Sequence, residues 1–231
     1  MQNQLRYRAV GSDQLFANNS LKYLSEEELQ KFDKNKIEVE FRAGEIIYKQ
    51  GAPLTHLVII YSGFAKIYIE SPNEKNLILK YTRANDINGG LGIFMDQKHH
   101  SSMMAVTDCK ACFLDVDLFY DAFKSNCSFM EHFLKEYSER ISHDYKKIVL
   151  LTQKNMEARI AESILYLNDR YFLNGSIQYI PKRDLADYTA MTKESAIRVL
   201  KQFKDEGLIE LNHQTINILD KAALQQIALH G

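Results

Sequence analysis

Three cysteines in 231 residues are too few, and too odd in number, for a disulfide framework; they imply reduced thiols in a cytoplasmic protein. No apolar run approaches the ~18–20 residues that a membrane span requires. A membrane is therefore not among the expected partners, and export is not expected either, since the opening stretch MQNQLRYRAVGSDQ lacks the apolar core of an export signal. An excess of charge of either sign is missing too. The 29 Lys and Arg balance 30 Asp and Glu, a formal net charge of −1, and no global field draws the chain to nucleic acid. Affinity for a polyanion must then come from a local patch. Residues 181–204 supply one, with six basic side chains (182, 183, 193, 198, 201, 204) against three acidic ones (184, 187, 194). There is no internal repeat and no low-complexity segment. The composition is that of an ordinary globular protein, 45% hydrophobic and 26% charged, and the length suits two domains.

Up to about residue 36 the pattern is helical. Ser25 and Glu28 form a capping box, with Leu29 and Phe32 following at helical spacing. From Ile37 the texture changes to short β-prone runs (IEVEF, EIIYKQG, HLVIIYSG, FAKIYIE, NLILKYT, SMMAVT, CFLDV) broken by Gly, Pro, Asn and Asp. Such spacing predicts a small sandwich or barrel-like roll over residues 37–118. A long helix should follow, starting at Leu118 or at Ser128 and running to Leu151. Its apolar positions are Met130, Leu134, Tyr137, Ile141, Tyr145, Ile148 and Leu151, six steps over 21 residues. That 3.5-residue mean is a coiled-coil period and predicts a homodimer seam; packing on the helix's own domain is the alternative. Asn155 is placed to cap the next helix, where Ile160, Ile164, Leu167 and Tyr171 mark one face before the Asn174-Gly175 turn.

The segment KRDLADYTAMTKESAIRVLKQFKDEGLIEL carries the strongest signal. Leu185, Ala186 and Tyr188 give a short helix a buried face, with Ala186 small enough for close crossing. Thr192 caps a second helix whose inner side is Ala196, Val199, Leu200 and Phe203. Lys193, Glu194, Ile197, Arg198 and Lys201 are left facing outward, as entry into a DNA major groove requires. Gly207 ends this helix. Two short strands, Leu208–Leu211 and Thr215–Leu219, joined through Asn212-His213, form a wing. A charge-rich helix alone is usually just a solvated face. The order of helix, tight turn, capped helix and wing favours double-stranded DNA.

These stretches resemble the CRP/FNR superfamily of bacterial regulators over nearly the full length. FRAGEIIYKQGAPLTHLVIIYSGFAKIY, with Gly44, Gly51 and Gly63, is similar to that family's cyclic-nucleotide-binding-like β-roll. ARIAESILYL and TKESAIRVLKQFKDEGLI are similar to its hinge helix and winged helix-turn-helix. The resemblance implies an α+β chain with a β-roll sensor (1–118), a dimerisation helix (119–152) and a winged helix-turn-helix (153–231). It places base reading at Lys193, Glu194 and Arg198, where Glu194 accepts from a cytosine amino group and Arg198 forks onto a guanine. Ile197 stands where one branch of the family has Ser, and Ala190 where the turn commonly has Gly. An inverted-repeat operator with a TGA-like core and RNA polymerase are the implied partners, with a small-molecule effector at the roll.

The family's phosphate cassette falls on INGGLGIFMDQKHHSSMMAV, making Gly89, Gly90, Leu91, His100 and Ser101 effector-pocket candidates. Members that bind cAMP carry Glu and Arg where this chain has Gly90 and His100, so cAMP is not the expected effector. Asp144, polar within the seam phase of Met130, Tyr137 and Leu151, either touches a ligand or sets dimer register. No cysteine precedes Cys109, which excludes an N-terminal iron–sulfur cluster. Cys109 and Cys112 point to opposite faces of a predicted strand and read as structural thiols. His99-His100 reads as a solvated pair rather than a haem or metal ligand. The seven histidines form no metal-ligand cluster of the kind a cupin-like enzyme needs, so no catalysis is expected. The competing function is a nucleotide- or haem-sensing regulatory module acting on a protein partner. It leaves residues 181–219 without a purpose.

Overall fold

Helix α1 (Glu26–Asn35) begins where its capping box dictates. The Ser25 hydroxyl accepts from the Glu28 amide at 3.3 Å, and the Glu28 carboxylate accepts from the Ser25 amide at 2.8 Å. Two otherwise orphaned amides are thereby satisfied. The structure, a computed structural model, describes residues 19–72, 75–82, 84–171, 176–178, 180–212 and 215–231. The first eighteen residues, the Asn174-Gly175 turn, His213 and the side chains of Leu91 and Tyr171 lie outside the described residues.

The β-rich segment forms two four-stranded sheets. One runs β1 (Ile37–Phe41), β8 (Cys109–Asp115), β3 (His56–Ser62), β6 (Ile87–Asn88); the other runs β2 (Ile46–Tyr48), β7 (Ser102–Ala105), β4 (Ala65–Ile69), β5 (Leu77–Tyr81). β3 pairs antiparallel with β8, setting Leu57 opposite Leu114 and Ile59 opposite Cys112, and all four side chains join the core. Val58 and Ile60, on the other face of β3, are buried as well, which is why this strand reads as a continuous apolar run. Gly63 turns the chain into β4. Its φ is +85°, and a Cβ there would stand 2.2 Å from the Asp108 carbonyl oxygen, so no other residue fits.

The two possible starts of the long helix both exist, because there are two helices. Asp115 accepts from the amides of Asp117 and Leu118 and opens α2 (Val116–Ser125). Asn126 then breaks the run. Its Oδ1 accepts from the Phe129 amide at 3.0 Å, while its Nδ2 donates to the Tyr23 carbonyl at 3.2 Å and the Glu28 carboxylate at 2.9 Å. Helix α3 (Cys127–Gln153) follows. Phe119 meets Phe129 and Phe133 edge-on at 5.2 and 5.0 Å, joining both helices to the roll's core.

The chain divides into two compact units, one of residues up to Glu70 with Lys80–His143, the other of Asp144–Gly231 with Ser71–Leu79. Helix α3 is continuous and contributes to both. In the second unit Asn155 caps α4 (Met156–Tyr171), accepting from the Ala158 amide at 2.9 Å, and Ile160, Ile164 and Leu167 are buried. Helices α5 (Lys182–Tyr188) and α6 (Lys193–Asp205) are the expected pair. The wing strands β10 (Ile209–Leu211) and β11 (Thr215–Ile218) gain a third partner, β9 (Ser176–Gln178), in the order β10-β11-β9. Helix α7 (Lys221–His230) was also not expected. Asp220 caps it, Leu224 and Ala228 are buried, and it packs along α4.

Candidate nucleic-acid interface and sensor pocket

The geometry of the second unit is set by the turn between α5 and α6. The Thr189 hydroxyl donates to the Leu185 carbonyl at 2.8 Å, closing α5. Ala190 takes a left-handed backbone with φ +53°, and the Met191 amide folds back to the Ala186 carbonyl at 2.9 Å. Thr192 caps α6 by accepting from the Ser195 amide at 3.2 Å. Leu185 and Ala186 on α5 are buried, as is the side of α6 made of Ala196, Val199, Leu200 and Phe203, and the two helices pack together.

The opposite face is open. Lys193, Glu194, Ile197, Arg198 and Lys201 are all exposed. Among the described residues none of the four charged side chains enters an ion pair, and Arg198 makes only a 3.9 Å contact to the Met156 sulfur. Glu194 and Arg198 stand one turn apart on the same face. A carboxylate acceptor and a guanidinium fork held side by side, neither neutralised by the protein, suit recognition of base edges.

In the first unit the candidate cassette begins at β6 and continues as a short 3-10 helix, Gly90–Phe94. Gly92 is demanded sterically, since a Cβ there would lie 2.0 Å from the Lys98 carbonyl oxygen. Gly90 faces an apolar floor, with Phe133 3.7 Å and Leu57 3.9 Å from where its Cβ would be. His100 is exposed and bonded to Asp96 at 2.9 Å, so its ring is held by a surface carboxylate. Ser101 is half-buried and hydrogen-bonded to Tyr48. Asp144 is exposed.

His99 is not solvated, contrary to the expectation for adjacent histidines in a polar loop. It is 7% exposed, stacked on Tyr48 with ring centroids 4.1 Å apart, and packed against Gly89. Among the described residues its Nδ1 has no hydrogen-bond partner, and burial holds the imidazole below the usual histidine range. Burial also pushes the Tyr48 hydroxyl up, while Ser101 and the charge of Arg140 oppose that rise. Arg140, on α3, donates to the Ile87 carbonyl at 2.5 Å. Neither Tyr48 nor Arg140 stands out in the sequence, because their positions beside the cassette depend on sheet and helix packing.

Cys109 and Cys112 are both buried. Cys112 lies in the core with its thiol pushed up to about 12 by burial, and Cys109 donates to the Phe64 carbonyl at 3.2 Å. Among the described residues no three His, Cys, Asp or Glu gather as a metal site, and no helix is long and apolar enough to cross a membrane. The seam positions of α3 lie open in part: Leu134, Tyr145 and Ile148 are 47%, 65% and 57% exposed, and Met130, Tyr137, Ile141 and Leu151 are half-buried.

Residues 38–126 match the cyclic nucleotide-binding domain family, and residues 158–227 match the Crp-like helix-turn-helix domain. The chain is 29% identical over 190 residues to Electron transport regulator A of Shewanella oneidensis, covering 80% of this chain and 76% of the relative. It is 28% identical over 218 residues to the Fumarate and nitrate reduction regulatory protein of Escherichia coli, covering 90% and 85%. In fold it is similar to FixK2 from Bradyrhizobium japonicum, with a TM-score of 0.76 at 18% identity, over 83% of this chain and 96% of the other. With a β-roll of the cyclic nucleotide-binding domain family, a long helix and a winged helix-turn-helix in that order, the chain belongs to the CRP/FNR superfamily of DNA-binding transcriptional regulators.

Proposed function

We propose that this regulator works as a two-fold homodimer, joined along α3, that reads an inverted-repeat operator with α6. It is gated by a small effector other than cAMP bound at the roll, and it passes its signal to RNA polymerase. The observation that carries the DNA reading is the exposed, unpaired set Lys193, Glu194, Arg198 and Lys201 at the start and outer face of α6. The exposed apolar positions of α3 support the dimer, since Leu134, Tyr145 and Ile148 stand at heptad-like spacing with large apolar area open to water.

Two-fold symmetry would present the two copies of α6 about one DNA turn apart, ~34–36 Å, and so call for an inverted repeat. Loss of both charged anchors at Gly90 and His100 supports an effector other than cAMP, as does the apolar floor under Gly90. Sequences selected from a random duplex library test the reading. Recovery of paired, inverted TGA-like half-sites is the expected result. Recovery of single half-sites alone would remove the two-fold dimer from the proposal.

A further inference from the structure

Among the described residues of the second unit, Lys147 is the one lysine that is buried. On the stretch of α3 from Asp144 to Val149 every residue is exposed except Lys147, which is 6% exposed; Leu150, one turn later on the same face, is 5% exposed. The Lys147 amine donates to the main-chain carbonyl of Tyr188 and lies 2.8 Å from the centroid of the Tyr188 ring. Tyr188 is the last residue of α5, immediately before the Thr189–Met191 turn into α6. The nearest carboxylate influence comes from Glu162 on α4, but that carboxylate is already paired with Lys154 at 2.5 Å. Burial accordingly holds the amine well below the usual lysine range.

A methionine or leucine would fill this space without desolvating an amine. A buried polar group between helices is costly, and what it provides is direction: an apolar side chain can slide against a neighbouring helix, whereas an N–H bonded to one carbonyl fixes a single register. That carbonyl ends α5, where the last C=O groups have no partner within the helix and an N–H from another element satisfies one of them.

We infer that Lys147 is a positioning residue that fixes the helix-turn-helix on the last turns of α3, and thereby selects the spacing between the two operator half-sites. The inference rests on the two-fold dimer proposed above, because only a dimer converts the angle of one helix-turn-helix into a spacing. Base preference within each half-site belongs to Glu194 and Arg198 and is independent of it.

The test uses the full chain and a series of duplexes whose two half-sites are identical and whose spacers differ by single base pairs. Lys147→Met keeps the stem and removes the donor. It is expected to leave half-site base preference unchanged. Discrimination between the best spacer and its neighbours should fall by roughly fivefold to tenfold, the scale of one strong hydrogen bond. Lys147→Gln is measured beside it, since its shorter neutral arm keeps the position polar yet falls short of the Tyr188 carbonyl. It should broaden the profile in the same way, even if the Met variant does not fold. A wild-type spacer profile in either folded, dimeric variant overturns the assignment, because loss of stability alone lowers affinity at every spacer alike. Indifference to spacer in the wild type would overturn the dimer reading itself, an outcome distinct from a variant that keeps its preference.

Discussion

The Met191 amide reaches the Ala186 carbonyl across 2.9 Å because Ala190, the residue between the helices, takes φ +53°. An alanine in that left-handed region carries a steric cost that glycine does not, and glycine is what the family commonly has there. Ala190→Gly should therefore raise stability by about 0.5–1 kcal/mol, the relief of strain less the greater backbone entropy of glycine in the unfolded chain. Ala190→Val should lower it, since a β-branched side chain is worse still in this region. Denaturant midpoints of the three proteins decide the matter. A less stable glycine variant would mean the turn tolerates alanine without strain.

Arg198 and Lys201 share the exposed face of α6 but are assigned different roles. Arg198→Ala should cost ~1–3 kcal/mol per half-site and relax preference at one base pair. Lys201→Ala should weaken all sequences alike and flatten the salt dependence, as expected for loss of one phosphate contact. Selection from a random library with wild type and both variants separates these effects. Unchanged base preference in the Arg198 variant would remove that residue from direct readout.

The apolar face of α3 predicts an assembly defect. Ile148 is 57% exposed and Ile141 is half-buried, so glutamate at both sites is tolerable in a monomer. Across a two-fold seam the same changes would enclose unpaired carboxylates at a cost of several kcal/mol. Sedimentation of Ile141→Glu/Ile148→Glu should show monomers at micromolar concentration. A dimer that persists places the seam elsewhere.

His99 predicts a pH dependence. Burial lowers its folded-state pKa below the ordinary 6.5, so the unfolded chain takes up the proton first. Stability from this group is complete above pH ~6.5 and declines as the pH falls below it. His99→Phe, which keeps an aromatic ring against Tyr48, should lose that part of the slope. Thermal unfolding of both proteins from neutral to mildly acidic pH measures the difference, and parallel curves would assign the slope to another group.

Calorimetry with millimolar cAMP should register weak binding or none, given Gly90 over an apolar floor and His100 held by Asp96. A low-micromolar dissociation constant would show that the roll holds the nucleotide through other contacts.

Much of this molecule was legible from local pattern alone. Capping residues Ser25, Asn155 and Thr192 start helices where the sequence places them, because a side-chain oxygen bonding an amide two or three residues on is a purely local event. The buried face of α6 follows from helical spacing for the same reason, and its outward residues with it. Helix α7 was within reach, since Asp220 caps it and Leu224, Ile227 and Ala228 keep helical spacing, but its apolar residues, Ala222 and the exposed Leu229 included, spread round the helix and blur the stripe. Strand β9 is three residues long and gains its identity only from β11 beside it.

What the sequence determined by itself is therefore the order of elements, the winged helix-turn-helix with its outward Glu194 and Arg198, and the absence of charge at Gly90. Only the tertiary structure decided that Asn126 splits one helical run into two, by bonding Tyr23 and Glu28 some hundred residues away in sequence. It alone separated the adjacent pair His99 and His100, one stacked beneath Tyr48 and the other on the surface with Asp96. It alone enclosed Lys147, a residue type that pattern reading assigns to solvent. Caps and periodicity act over a few residues and are written in neighbouring letters. Burial of a polar side chain depends on which distant elements close over it, and that is settled only when the chain packs.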